Sequence, residues 1–148
     1  MFRGSSEHSI DDKGRIIIPA RFRPVIQSAL CDGMMVTYMD GCLMAYTLDE
    51  WLAIEQRVAA RAENSSALRR FRRVFIGGAQ KCTFDRQWRM LIPPLLRKMA
   101  ELEKEITLVG VLKHFEIWSQ ENYAKEYERM DEDMQNEEVS NEIASLGI

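Results

Sequence analysis

Residues 11–23 read DDKGRIIIPARFR, and residues 85–97 read DRQWRMLIPPLLR. Each phrase runs from an aspartate turn into a short apolar strand, meets a proline, and continues into a segment with helical spacing. Sliding the chain on itself by 74 residues brings Asp11 onto Asp85, Arg15 onto Arg89, Ile18 onto Ile92, Pro19 onto Pro93 and Arg23 onto Arg97. The apolar positions follow: Ile10 with Phe84, Ile16 with Met90, Ile17 with Leu91, Phe22 with Leu96. A two-residue shift then aligns CLMAYTLDEW (42–51) with HFEIWSQENY (114–123). Order as well as residue type is preserved, so the chain is an internal duplication.

Each copy carries the same element signals. Residues 6–10 and 15–18 are short β-prone runs around DDKG, which reads as a hairpin with Gly14 free to take positive φ. Pro19 suits the first position of a short helix, and Pro24 is expected to kink or shorten it. Two strands flank Asp40-Gly41, another hairpin signal. Thr47 with Glu50 three residues on reads as a capping box, and Ser119 as the matching cap in the second copy. Trp51, Ile54 and Val58 recur at helical spacing and mark a core stripe. Asn64 and Ser65 interrupt that helix, and ALRRFRRVF begins another that Gly77-Gly78 ends. In it Leu68, Phe71 and Phe75 share one side, and Arg69, Arg72 and Arg73 share the other. That basic face is either solvated or turned to a phosphate or to an acidic helix of a neighbour. Residues 130–148 are acidic and sparsely apolar, which reads as a frayed helix or a disordered tail.

A chain of 148 residues fits one domain or two halves sharing a core. Its apolar runs are too short to span a bilayer, and MFRGSSEHS has no apolar stretch of the kind a secretory signal needs. Cys31, Cys42 and Cys82 lie far apart with no C-x-x-C spacing, as expected of reduced thiols in a cytosol. The net charge of −3 is segregated along the chain. Residues 1–98 hold 16 Lys and Arg against 10 Asp and Glu, a net of +6, and residues 99–148 hold 4 against 13, a net of −9. A phosphate backbone responds to the local basic surface that such a division permits, whatever the total.

Signals for catalysis are lacking. His8 and His114 fall in no metal-ligand spacing, and together with Cys42 and Cys82 they form only scattered single ligands, so no metal or cofactor is expected. The repeated Asp-x-x-x-Arg has two readings. It can be an ion pair bracing a turn, with the aspartate accepting backbone N–H bonds. It can also present Lys13 and Arg15 from a stiff β-loop to a groove, where arginine makes bidentate contacts to guanine or phosphate. Trp88 stands where the first copy has Gly14. Its side chain is expected to exclude the positive φ open to glycine and to hold the second loop away from a ligand, packing against a helix or a neighbouring subunit.

The opening MFRG, the two Asp-x-x-x-Arg phrases, CLMAYTLDEW and FEIWSQENY together resemble the MraZ family of bacterial transcriptional regulators, over about residues 1 to 127. The resemblance implies an α+β fold: a duplicated SpoVT-AbrB-like swapped-hairpin β-barrel with packed helices. Repeats at 7–53 and 81–124 would be joined by a helical connector at 54–80 and followed by an acidic helix or tail at 125–148. It also implies a cytoplasmic, nucleoid-associated homo-oligomeric ring. Such a ring would bind direct repeats in double-stranded promoter DNA ahead of the division and cell-wall gene cluster, without enzymatic activity. The DNA-facing positions carried over are Asp11, Lys13, Gly14 and Arg15 in the first loop and Asp85, Arg86 and Arg89 in the second. Gln87 and Trp88 depart from the lysine-glycine of the first copy. An oligomeric scaffold, or an antitoxin-like module whose main partner is a protein, is the alternative expectation.

Overall fold

A computed structural model describes residues 1–61 and 65–148. The expected break at Asn64 falls outside the described residues. Among the described residues, eight strands and six α-helices alternate in an α+β arrangement. Strands β1 (Ser5–Ser9), β3 (Gly33–Met39), β4 (Cys42–Tyr46), β5 (Gln80–Thr83), β7 (Glu105–Val111) and β8 (His114–Ser119) form one antiparallel sheet in the order β1-β7-β8-β4-β3-β5. Strands β2 (Arg15–Ile17) and β6 (Arg89–Leu91) form a separate two-stranded ribbon. Among the described residues, no ladder closes the sheet into the expected barrel.

The two copies are interleaved. β1 of the first pairs with β7 of the second, β5 of the second pairs with β3 of the first, and β2 pairs with β6. This corrects the local hairpin expected around DDKG: its two flanking strands enter different sheets. A three-residue strand cannot cover a core alone, and crossing to its counterpart buries Ile16 against Met90. Both are fully inaccessible to solvent, as are Ile18, Ile92, Phe22 and Leu96, so a single core is built equally from both halves. The rings of Phe2, Phe22 and Phe115 meet there at centroid distances of 5.0–5.4 Å.

The expected hairpin at Asp40-Gly41 forms as a local pair, and β7 and β8 pair locally in the same way. Asp40 and Gly41 take positive φ (55° and 84°), as a tight β-turn of this hand requires. Helix α1 (Arg23–Ser28) begins after Pro19, not at it. The Phe22 N–H donates to the Pro19 carbonyl (3.0 Å), closing a turn, and Pro24 then sits in the first helical turn, where its missing N–H costs nothing. Pro94 opens the matching helix α4 (Pro94–Met99) in the same way.

A second, smaller cluster covers the other face of β3 and β4. Tyr46, Trp51 of α2 (Leu48–Ala59) and Phe75 are buried there, with Ile54 packed against them. Thr47 is the N-cap of α2 by position, but its side chain makes no capping bond, so the expected reciprocal box is absent. Ser65 accepts from the Leu68 N–H to cap α3 (Ser66–Phe71). That helix widens into a π-helical stretch, Arg72–Ile76, ending at Gly77. The wider turns rotate the face away from ideal α spacing: Phe75 is buried while Leu68, expected on the same side, is exposed. Of the frayed helix or disordered tail expected at the C-terminus, the segment takes the helical form, with its helices capped. Ser119 caps α5 (Gln120–Met134) and Asn136 caps α6 (Glu137–Ala144), accepting from two backbone N–H groups. Glu137 and Glu138 complement the start of α6.

Candidate nucleic-acid interface

The ribbon carries one turn at each end. In its register Arg15 faces Leu91, Ile16 faces Met90 and Ile17 faces Arg89. The inward residues of this alternation are the buried Ile16 and Met90. The outward surface therefore presents Arg15, Ile17, Arg89 and Leu91, with Ile17 and Leu91 each 52% exposed. The two arginines lie at opposite ends of this short surface, separated by two register steps, or about 7 Å along the strand.

Both turns use one hydrogen-bond pattern. Asp11 Oδ1 accepts from the N–H of Lys13 (3.0 Å) and of Arg15 (2.8 Å), and its Oδ2 accepts from Arg15 Nε (2.7 Å). Asp85 Oδ1 accepts from the N–H of Gln87 (2.8 Å) and of Arg89 (2.9 Å), and its Oδ2 from Arg89 Nε (2.6 Å). Each turn closes with two backbone bonds, Asp11 N–H to Arg15 O with Gly14 N–H to Asp11 O, and Asp85 N–H to Arg89 O with Trp88 N–H to Asp85 O. The first cause holding both aspartates below the ordinary carboxylate value is the arginine N–H, helped by the guanidinium and the intervening backbone N–H against partial desolvation. The bracing role of Asp-x-x-x-Arg thus holds in both turns. Binding through Nε fixes each guanidinium, and among the described residues its two terminal nitrogens meet no other partner. Such a group can make a bidentate contact to an acceptor pair without further ordering.

Trp88 corrects an expectation. It takes φ of +59° at the position where Gly14 has +84°, so the tryptophan does not exclude the left-handed backbone. Its ring supplies the compensation, lying 5.3 Å from Phe84 and packing on the main core. A strained backbone persists where surrounding contacts over-determine it. The backbones of both turns are further tied across the repeats. Gly14 O accepts from Ile92 N–H (2.9 Å), and Trp88 O accepts from Ile18 N–H (2.8 Å).

Two residues of the site were missed in the sequence as functional positions. Arg23 and Arg97, already matched by the repeat, each donate Nε to the carbonyl at the end of their own ribbon strand, Ile18 and Ile92, at 3.0 Å. From there each reaches the other copy's turn. Arg23 lies 5.6 Å above the Trp88 ring, and Arg97 lies against the backbone of Gly14. The equal spacing from proline to arginine in both phrases was the available signal. Lys13 and Arg86 are exposed at the turn tips, and among the described residues no carboxylate pairs with either. The ribbon thus gathers Lys13, Arg15, Arg86 and Arg89 with Arg23 and Arg97, opposed by Asp11, Asp12 and Asp85.

Other candidate chemistry is dispersed. Among the described residues, no group of three or more His, Cys, Asp or Glu is arranged for a metal, and no helix is long and apolar enough to cross a membrane. Cys42 and Cys82 are buried; burial pushes both thiols up, that of Cys82 to about 11. His8 Nε2 bonds Ser6 Oγ at 2.6 Å, and His114 faces Glu116 on the far side of the sheet.

Comparison with known proteins matches this duplicated arrangement. The family described as "MraZ protein, putative antitoxin-like" matches twice, over residues 1–74 and 75–144. The transcriptional regulator MraZ of Desulforapulum autotrophicum is 52% identical over 148 residues, covering all of both chains. That of Desulfosudis oleivorans is 49% identical over 149 residues, again covering both completely. The regulator MraZ of Acidithiobacillus ferrooxidans is 46% identical over 125 residues, 80% of this chain and 82% of its own. Relatives so named are transcriptional regulators and not enzymes, and at this identity and coverage the chain belongs to the MraZ family.

Proposed function

We propose that the chain is a sequence-specific regulator that binds double-stranded promoter DNA through the two Asp-x-x-x-Arg turns. The observation carrying this reading is the pair of matched, aspartate-braced arginines at opposite ends of one ribbon. Two such groups related by a local two-fold suit a ligand with its own two-fold repetition, as a duplex has. The name of the relatives, transcriptional regulator, agrees with it. Asp11 and Asp85 orient; Arg15 and Arg89 contact bases or phosphates; Lys13, Gly14 and Arg86 form the approach. The crossing of strands between copies is the swapped hairpin of the SpoVT-AbrB type, duplicated in one chain as units 7–53 and 81–124 with connector 54–80 and tail 125–148. Several chains in a homo-oligomeric ring present enough turns to offset the acidic total. On this reading the protein acts as a repressor in the cytoplasm at the nucleoid, on direct repeats ahead of the division and cell-wall gene cluster.

Anisotropy titration of the protein's own upstream DNA against a shuffled duplex tests this, with a sizing run alongside. Preference for the native sequence, lost in Arg15→Ala with the assembly intact, is the expected result. Equal affinity for both duplexes overturns sequence-specific binding. A second reading, a module with a protein partner, is favoured by the acidic α5 and α6 and by the family's description as antitoxin-like. A stoichiometric basic protein that co-purifies, with no DNA preference, would establish it instead.

A further inference from the structure

The unequal surroundings of Gly14 and Trp88 make the two ends of the ribbon different as binding sites. A Cβ at Gly14 would lie 2.7 Å from Arg97 Cζ, 2.9 Å from Nη1 and 3.0 Å from Nε. The Arg97 guanidinium therefore occupies space that only a glycine leaves open, flush with the turn backbone. It is fixed there by Nε on the Ile92 carbonyl, while Ile92 N–H in turn bonds Gly14 O. Among the described residues, no carboxylate and no second hydrogen-bond acceptor meets Arg97, and its terminal nitrogens keep their donors. Arg15 is neutralised by Asp11, and Arg97 is not. At the other end the corresponding cation, Arg23, lies above the indole of Trp88, which packs on Phe84 and the core.

We propose that Arg97, with the Gly14 turn and Lys13, forms a phosphodiester-binding site at the first end of the ribbon, supplied jointly by the two repeats, which the second end lacks. The site deepens the DNA-binding reading and rests on it. A partly buried, pre-positioned guanidinium whose terminal nitrogens keep their donors suits a phosphate, because the cation loses little further entropy on contact. Arg15 is then free to face a base edge, with the backbone phosphate held by Arg97.

Salt dependence of DNA binding distinguishes this from a structural role, because each lost phosphate contact lowers the steepness of log K against log salt by about 0.9. The titration uses the full-length protein with its upstream duplex, for wild type, Arg97→Gln, Arg97→Lys and Arg23→Gln. Arg97→Gln should bind roughly tenfold more weakly at moderate salt, with the slope shallower by about 0.9 for each chain that contacts DNA. Arg97→Lys should keep most of the slope, and Arg23→Gln should lose less of it than Arg97→Gln. An unchanged slope in Arg97→Gln overturns the site, whether or not affinity falls, since a purely structural arginine affects folding and not counter-ion release. An equal loss of slope in Arg23→Gln overturns the claimed asymmetry. Wild-type protein with no salt-dependent DNA binding overturns the underlying functional reading, a result separable from the others.

Discussion

The turn at Asp11–Arg15 and the turn at Asp85–Arg89 reach one backbone by different means. Their aspartate bonds agree within 0.2 Å, and both place a positive-φ residue just before the arginine. In the first turn glycine adopts that φ at no steric cost, and the space it leaves is filled by an arginine from the other repeat. In the second the strain of a left-handed tryptophan, about 1–2 kcal/mol, is offset by indole packing on Phe84 and the core. The lesson is that the bracing aspartate and the cross-repeat backbone bonds define the turn. The residue at the left-handed position decides what can approach it.

Exchanging those residues is the strongest way to break the comparison. Gly14→Trp should put a side chain into the Arg97 guanidinium and add left-handed strain, lowering stability by about 1–2 kcal/mol and weakening DNA binding at least tenfold. Trp88→Gly relieves strain but removes a half-buried indole. Packing should win, for a net loss of about 2 kcal/mol. Chemical denaturation of both variants, with DNA titration of each, checks this. If Trp88→Gly is more stable than wild type, the indole does not hold the second turn and the account of its strain is wrong.

That difference was only partly legible in the sequence. The duplication, the aspartate turns and the local hairpin at Asp40-Gly41 are recognisable in one pass along the chain. Which strand pairs with which is a non-local matter. A ten-residue window around DDKG cannot show that β1 has a better partner in β7 than in β2. Trp88 misled for a related reason: φ preference is local, but the contacts that override it come from Phe84, Arg23 and the core. Arg23 and Arg97 were visible as matched positions, yet their role depends on the crossing of the repeats. In the acidic tail composition leaves helix and disorder both open, and the Asn136 cap is the local signal for helix.

A smaller effect sharpens the comparison from the cation side. Arg23 lies over Trp88, whereas among the described residues Arg97 has no aromatic partner. Arg23→Gln should therefore cost about 0.5–1 kcal/mol of stability through the lost cation–π contact. In a Trp88→Gly background the same substitution should cost less, and a double-mutant cycle measures the coupling. A coupling of zero would show that proximity of the guanidinium to the indole contributes nothing.

The smallest difference is expected where the turns are alike. Asp11 and Asp85 are both held below the ordinary carboxylate value near 3.8, first by the backbone N–H of Arg15 or Arg89. A carboxyl with a lowered folded-state value binds fewer protons in the folded chain than in the unfolded one. Its contribution is therefore complete above the unfolded value and is lost as pH falls through the folded one. Asp11→Asn and Asp85→Asn should each be less stable than wild type at neutral pH. That disadvantage should hold steady on acidification and shrink only below about pH 4, with the two variants following the same curve. Denaturant titrations from about pH 6 to about pH 2 provide the measurement. Because the two hydrogen-bond sets match so closely, a disadvantage that fades at clearly different pH in the two variants would mean that the braces are energetically distinct. The difference between the ends of the ribbon would then begin at the aspartates and not at Gly14 and Trp88.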